Sequence, residues 1–144
     1  MKPNEFLNQL EGDRIVAAIR EAERKTSGEI RVFVTHKKIE NAVPAAQEAF
    51  TRLGMTKTRE RNGVLIFIAP RARQFAVIGD EAVHRRCGED FWRQLAKEMS
   101  SRFKIAHFTD GIVHVVQKAG ALLAEHFPRR DDDRNELSDR VIQD

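Results

Sequence analysis

Residues 63–69 have the sequence GVLIFIA, seven residues without a charged or polar side chain. A continuous apolar run of this length, preceded by Asn62 and followed by Pro70, is typical of a β-strand that is buried on both faces. A strand of this kind must lie inside a sheet that other elements cover on each side. The run therefore decides the fold class, and the segments around it decide the topology.

Two further strands are predicted, one before and one after this run. Residues 30–34, IRVFV, are β-branched and aromatic, and residues 74–78, QFAVI, follow a short turn that starts at Pro70. Residues 41–53 have helical spacing, so the first two strands and this helix form a right-handed parallel crossover. The third strand follows the second so closely that the two form an antiparallel hairpin.

Helical periodicity predicts the remaining elements, and their positions complete the architecture. Apolar residues recur at helical spacing in four more segments, residues 5–25, 81–86, 90–103 and 110–127. Helices on both sides of a small sheet are required to bury its two apolar faces. The sequence therefore predicts a three-layer α/β/α sandwich in which a small mixed β-sheet is flanked by helices.

Size and composition are those of one folded domain. The chain has 144 residues, of which 41% are hydrophobic and 33% charged. We predict a single domain over residues 1–128 and a charged flexible tail over residues 129–144, with a weak terminal helix. The single cysteine, Cys87, excludes an internal disulfide and a zinc site built from several thiolates.

Charge and hydropathy restrict the class of partner. The 25 basic and 22 acidic residues leave a net charge of +3, and the basic residues are scattered, so nucleic-acid binding is not expected. No run approaches the roughly 18 apolar residues of a membrane span. The first residues lack the apolar core of a secretory signal. We therefore predict a cytoplasmic protein that does not insert into a membrane.

One edge of the predicted sheet collects residues that could carry chemistry. The first two strands run the same way and the third runs back, so Arg61, Asn62 and Asp80 are placed at one edge. We expect the last helix to bring Asp110 to the same edge. Asn62, Asp80 and Asp110 would then offer the oxygen ligands that Ca²⁺ or Mg²⁺ prefers. Arg61 would hold a phosphate or carboxylate beside the ion.

Each of these residues also has an ordinary structural interpretation. Asp110 is placed to cap the last helix, and Asp80 follows a glycine at a strand end, where turns and helix caps are common. Residues 61–63 are typical of a turn with a left-handed residue. The functional hypothesis therefore depends on whether the four side chains converge.

Several segments, in this order, resemble the TPM domain family, whose members include thylakoid-lumen, photosystem-repair and receptor-modulating proteins. The segments are EAERKTSGEIRV at residues 23–34, RNGVLIFI at 61–68, Gly79-Asp80, Phe91-Trp92, Phe103, FTDGI at 108–112 and HFP at 126–128. The resemblance covers roughly residues 5–128, is closest to the short free-standing bacterial type, and implies an α/β/α sandwich. Ala106 departs from the family pattern, which implies a glycine, and we expect this to change the loop that leads to Asp110.

The resemblance implies two functions. Our first hypothesis is an accessory or interaction module that binds a divalent cation (Ca or Mg) weakly and contacts a protein partner, such as a membrane-associated complex. A rival hypothesis, which does not rest on the resemblance, is a pure interaction module in which the residues at the sheet edge are structural and the tail from Arg129 does the binding. The alternative is a metal-dependent acid phosphatase acting on phosphomonoesters, with Asp80 and Asp110 holding the ion and Arg61 stabilising phosphoryl charge.

Overall fold

A computed structural model describes residues 1–129 and 139–144, and the strands within them form one mixed sheet of four strands in the order β3-β2-β1-β4. The strands are β1 (Glu29–Val34), β2 (Gly63–Ala69), β3 (Gln74–Gly79) and β4 (Ile142–Gln143). β1 runs parallel to β2 and to β4, whereas β3 is antiparallel to β2. The predicted crossover and the predicted hairpin are both confirmed.

Helices cover both faces of the sheet. In the described part of the chain they are α1 (Pro3–Asn8), α2 (Gly12–Glu23), α3 (Ala42–Arg52), α4 (Glu81–Cys87), α5 (Glu89–Lys104) and α6 (Phe108–His126). The three-layer α/β/α sandwich is thereby confirmed. None of these helices combines the length and apolar composition needed to cross a bilayer. The cytoplasmic location stays a prediction.

The alternation of side chains along β2 explains why the sandwich has three layers. Val64, Ile66 and Ile68 belong to the larger apolar cluster, which is completed by α2, α5 and α6. Leu65 and Phe67 point the other way, into the smaller cluster that α3 completes. All seven residues of β2 are buried, so the apolar run has the two-sided burial that its composition predicts.

The end of the chain differs from the prediction. Ile142 pairs with Phe33 in parallel register, so residues 142–143 form a short strand where the sequence predicts a flexible tail. The Thr35 hydroxyl donates a hydrogen bond of 2.6 Å to the Asp144 carboxylate, which anchors the last residue beside the sheet. A strand of two residues has no periodicity to recognise, and its pairing satisfies backbone groups at the edge of β1. The rest of the predicted tail, residues 130–138, lies outside the described residues.

Helix α6 runs from one end of the sheet to the other. We call the end where β1 and β2 begin the amino edge, and the end where they finish the carboxyl edge. At the amino edge the Ser27 N–H donates to the Phe127 carbonyl at 3.0 Å, directly after α6. At the carboxyl edge the first residue of α6, Phe108, packs on Phe6, with ring centroids 5.0 Å apart. The 19 residues of α6 span about 28 Å at 1.5 Å per residue.

A buried ion cluster joins α2, β1 and the C-terminal segment. The Arg31 side chain in β1 is fully buried and pairs with Glu23 at 2.7 Å, Glu29 at 3.2 Å and Asp139 at 3.5 Å. Burial raises the pKa of the Glu23 carboxyl to about 7, although the nearby Arg31 charge opposes this shift. Nothing in the spacing of residues 30–34 marks Arg31 as different from an exposed strand arginine.

Candidate functional site

The amino edge brings together three of the four predicted site residues. The strand register places Glu29 opposite Gly63 and Val64 opposite Gly79, so the residues just before β2 and just after β3 are neighbours. The predicted convergence of Arg61, Asn62 and Asp80 is therefore present. These residues lie beside the turn that leads into β1, residues 26–28.

Asp80 is held by its neighbours on both carboxylate oxygens. Arg61 donates to them from Nε at 2.7 Å and from Nη2 at 2.9 Å, which is a bidentate ion pair. The backbone N–H of Glu81 donates to the same carboxylate at 2.8 Å, so Asp80 also caps α4. The hydrogen bonds that Arg61 donates to Asp80 raise the pKa of the Arg61 guanidinium above its ordinary value. The cap predicted as the structural alternative for Asp80 is thus present.

Arg61 occupies an unusual backbone conformation. Its φ of 52° is in the left-handed region, which a residue with a Cβ adopts at a cost. The side chain is 40% exposed, so the outer face of the guanidinium is open to solvent while its inner edge holds Asp80. The left-handed residue expected in residues 61–63 is therefore Arg61.

Asn62 belongs to a small hydrogen-bonded group with Ser27, which the strand order also places at this edge, and Glu60, which no sequence pattern pointed to. Its Nδ2 donates to the Ser27 hydroxyl at 3.0 Å, and that hydroxyl donates in turn to the Glu60 carboxylate. Glu60 is therefore an acidic neighbour of the predicted site. No sequence motif relates it to Ser27, which is 33 residues away along the chain.

Asp110 lies at the other edge of the sheet, and the predicted juxtaposition with Asp80 is wrong. Its side chain is 51% exposed and accepts a hydrogen bond of 2.9 Å from Arg14 Nη2. His107 Nδ1 lies 3.8 Å from the same carboxylate. The hydrogen bond from Arg14 holds the pKa of Asp110 below its ordinary value. Asp110 is thus an exposed ion-paired residue in the first turn of α6.

The length of α6 separates the two aspartates. Leu123, near its C-terminal end, lies within contact distance of Gly28 at the amino edge. The 13 residues from Asp110 to Leu123 cover about 20 Å of helix. The error arises because α5 runs from the amino edge to the carboxyl edge, so α6 has to begin at the far end and return.

Neither edge holds a ready-made metal centre in residues 1–129 and 139–144. Within them no three His, Cys, Asp or Glu side chains are grouped closely enough to hold an ion. A polar cavity of about 430 Å³ lies beside the amino edge, lined by Glu60, Ala82, Arg85, Arg86 and Phe127. Arg86 donates to the His126 carbonyl at 3.0 Å, and its Cζ lies 4.8 Å from the centre of the Phe127 ring.

A larger and more apolar cavity opens at the carboxyl edge, and we call it the carboxyl-edge cavity. Its volume is about 450 Å³. It is lined by Met1, Phe6, Ile68, Ala69, Pro70, Arg73, Gln74, Phe75, Ser100, Phe103, Lys104 and Phe108. The four phenylalanines come from four different elements and contact one another, with ring centroids 5.0 to 6.0 Å apart.

Comparison with known proteins identifies the family. A family model described as the TPM domain matches residues 1–122. The chain belongs to the TPM domain family. The NMR structure of BA42, a protein from the psychrophilic bacterium Bizionia argentinensis, is similar to this TPM domain with a TM-score of 0.84 and 35% sequence identity. The similarity covers 94% of this chain and 95% of BA42. No curated protein matches the chain.

Ala106 adopts, in this TPM domain, a loop conformation that would suit glycine. Its φ is 61°, its N–H donates to the Phe103 carbonyl at 3.0 Å, and the N–H of His107 donates to the Arg102 carbonyl at 2.9 Å. This pair of bonds is a Schellman motif, in which a left-handed residue ends the helix. Ala106 therefore takes the left-handed position that the motif requires, at a cost that glycine would not have.

Proposed function

We propose that this TPM domain is an accessory binding module that holds an apolar segment of a partner protein in the carboxyl-edge cavity. The observation that supports this proposal is the cavity itself, because its 450 Å³ lies within the range of about 300–1,000 Å³ that is typical of ligand pockets. Its lining is mostly apolar and aromatic, as in most ligand sites.

The position of the cavity also favours binding. Ile68 and Ala69, which line it, are the last residues of β2. In open α/β sheets, ligands bind outside the carboxyl ends of parallel strands. Ile105, next to the lining residue Lys104, is 62% exposed.

The aromatic lining is organised before any ligand arrives. Phe103 contacts Phe75 in edge-to-face geometry at 5.5 Å and Phe108 at 5.3 Å. Such contacts fix the ring orientations and reduce the entropy lost on binding. Phe75 is the best position for a test because it lies half-buried on β3, at the edge of the sheet.

The probe for this proposal is the uncharged peptide N-acetyl-Gly-Leu-Phe amide. In an NMR titration of the ¹⁵N-labelled protein, we expect saturable shifts confined to residues 73–75 and 103–108. Phe75→Ala should weaken binding about tenfold, because the buried face of one aromatic ring is lost. The matched control is Phe91→Ala, since Phe91 is also half-buried but packs on Trp92, outside the cavity lining. Equal affinities for the two variants would contradict the proposal.

A second candidate function is metal-assisted hydrolysis of a phosphomonoester at the amino edge. The observation that favours it is the polar cavity beside Asp80, whose lining includes Arg85 and Arg86. Arg61 and Arg85 both lie near the Glu81 carboxylate, at 3.8 and 3.9 Å, and the guanidinium groups at this edge would attract a phosphate group. A Ca²⁺ or Mg²⁺ ion would take its ligands from Asp80 and Asn62, with Glu60 close by. Asp110 has no part in this version, since it lies at the opposite edge.

A cation at this edge would have to compete with Arg61 for the Asp80 carboxylate. We therefore expect Arg61→Ala to tighten binding of Ca²⁺ or Mg²⁺ several-fold, and Asp80→Asn to abolish it while retaining the cap on α4. The measurement is an NMR titration with CaCl₂ and MgCl₂, followed by a p-nitrophenyl phosphate assay with metal present. Asp110→Asn is the control and should leave cation binding unchanged. If millimolar metal shifts no amide at the amino edge in either the wild type or Arg61→Ala, this candidate fails.

A further inference from the structure

We infer that the segment held in the carboxyl-edge cavity has a carboxylate next to its apolar side chains, and this inference rests on the function proposed for the cavity. The charges of the lining residues support it. Two of the twelve lining residues carry a charged side chain, Arg73 and Lys104, and both are cationic. A pocket with an apolar floor and only positive side chains is complementary to an apolar group that bears a negative charge.

The two cations have no carboxylate partner within the described part of the chain. Neither Arg73 nor Lys104 is in an ion pair there, whereas Arg14, Arg31 and Arg61 all are. An arginine and a lysine that line an apolar cavity and are in no ion pair within the described residues contribute a positive potential there. A bound carboxylate would be attracted by this positive potential.

The two cations of the lining belong to different elements of the fold. Arg73 belongs to the turn between β2 and β3, where its N–H donates to the Pro70 carbonyl at 3.2 Å. Its φ of 52° places it in the left-handed region, as for Arg61. Lys104 is the last residue of α5, so the two cations of the lining come from different elements.

The acidic side chain that follows Phe108 in α6 does not cancel this potential. Asp110 lies two residues after Phe108, but its carboxylate is paired with Arg14 at 2.9 Å. In addition, α6 begins at Phe108, so the positive end of its helix dipole lies at the cavity. The positive charges of the lining therefore favour an anionic ligand, and the apolar residues around them favour one that carries an apolar group.

The test compares two peptides that differ only in charge, N-acetyl-Gly-Leu-Phe with a free carboxylate and the same peptide as an amide. We expect the acid to bind the wild-type protein about tenfold more tightly than the amide, since a hydrogen bond to a charged group has this order of effect. In Arg73→Gln/Lys104→Gln the ratio of the two affinities should fall to near one. The amide should bind both proteins alike.

The matched control is Arg71→Gln/Lys97→Gln. It removes one arginine from the same turn and one lysine from the same helix, but neither residue lines the cavity. Its ratio of affinities should stay near the wild-type value. A control ratio as low as that of Arg73→Gln/Lys104→Gln would show that net charge alone is responsible, and would overturn the inference.

The outcomes separate the inference from the function on which it rests. Equal binding of acid and amide to the wild type, with the amide still sensitive to Phe75→Ala, would overturn carboxylate recognition and leave the apolar binding module intact. Binding of neither peptide would overturn both. A third peptide, N-acetyl-Glu-Leu-Phe amide, tells whether the carboxylate belongs to a side chain or to a chain end. Tighter binding of decanoate than of every peptide would overturn the protein partner in favour of a small amphiphile.

Discussion

Arg31→Met is expected to lower the free energy of unfolding by about 3–5 kcal/mol at pH 7, because it leaves buried carboxylates without their cation. Arg31 is fully buried and lies within 3.5 Å of carboxylate oxygens of Glu23, Glu29 and Asp139. Methionine retains most of the apolar volume, so the loss would report the charge and not a cavity. Urea unfolding followed by the fluorescence of Trp92, which is the single tryptophan, measures the effect.

The matched control for this substitution is Arg24→Met. Arg24 pairs with Glu21 at 3.1 Å, but both side chains are more than half exposed, so the ion pair contributes little. The expected change is below about 0.5 kcal/mol. If Arg31→Met is no less stable than Arg24→Met, then the buried cluster does not depend on its arginine.

The second large effect is a loss of stability as pH rises from about 4.5 to about 7. Burial raises the pKa of Glu23 in the folded protein from 4.5 to about 7. Between these values the folded state binds a proton that the unfolded state has released. Stability is therefore greatest below pH 4.5 for this group and falls with rising pH, at most by about 1.4 kcal/mol per pH unit.

Glu23→Gln isolates this contribution from the other acidic groups. The unfolding free energy of the wild type, relative to that of the variant, should fall as the pH is raised from 4.5 to 7. Above and below that window the difference between the two should be constant. Glu21→Gln is the control, because Glu21 is two residues away in α2 and exposed. If the unfolding free energy of Glu23→Gln depends on pH in the same way as that of the wild type, then Glu23 has its ordinary pKa.

Much of the architecture follows from local sequence patterns. The apolar run of β2 and the helical spacing of residues 41–53 require a parallel crossover with both faces covered. The hairpin after Pro70 then fixes the neighbour of β2. Because strand direction alone decides which ends meet, the approach of Arg61 and Asn62 to Asp80 could be predicted without any knowledge of side-chain contacts.

The remaining features depend on distances that no local pattern contains. The edge at which Asp110 lies is decided by the combined path of α5 and α6, and the periodicity of α6 is the same in either direction. The carboxyl-edge cavity draws Phe6, Phe75, Phe103 and Phe108 from four elements, so no spacing along the chain relates them. Arg31 occupies a strand position that could have faced solvent.

The short strand β4 has a consequence for how copies of this TPM domain meet. β1 would otherwise offer the backbone groups of Phe33 and Val34 to any extended segment that approached the open side of the sheet, and unprotected strands of this kind promote aggregation. The pairing with Ile142 and Gln143 occupies those groups with the chain's own last residues. A chain shortened before Ile142 would therefore leave this edge of β1 unpaired, and we expect it to self-associate more readily as well as to lose a structural contact.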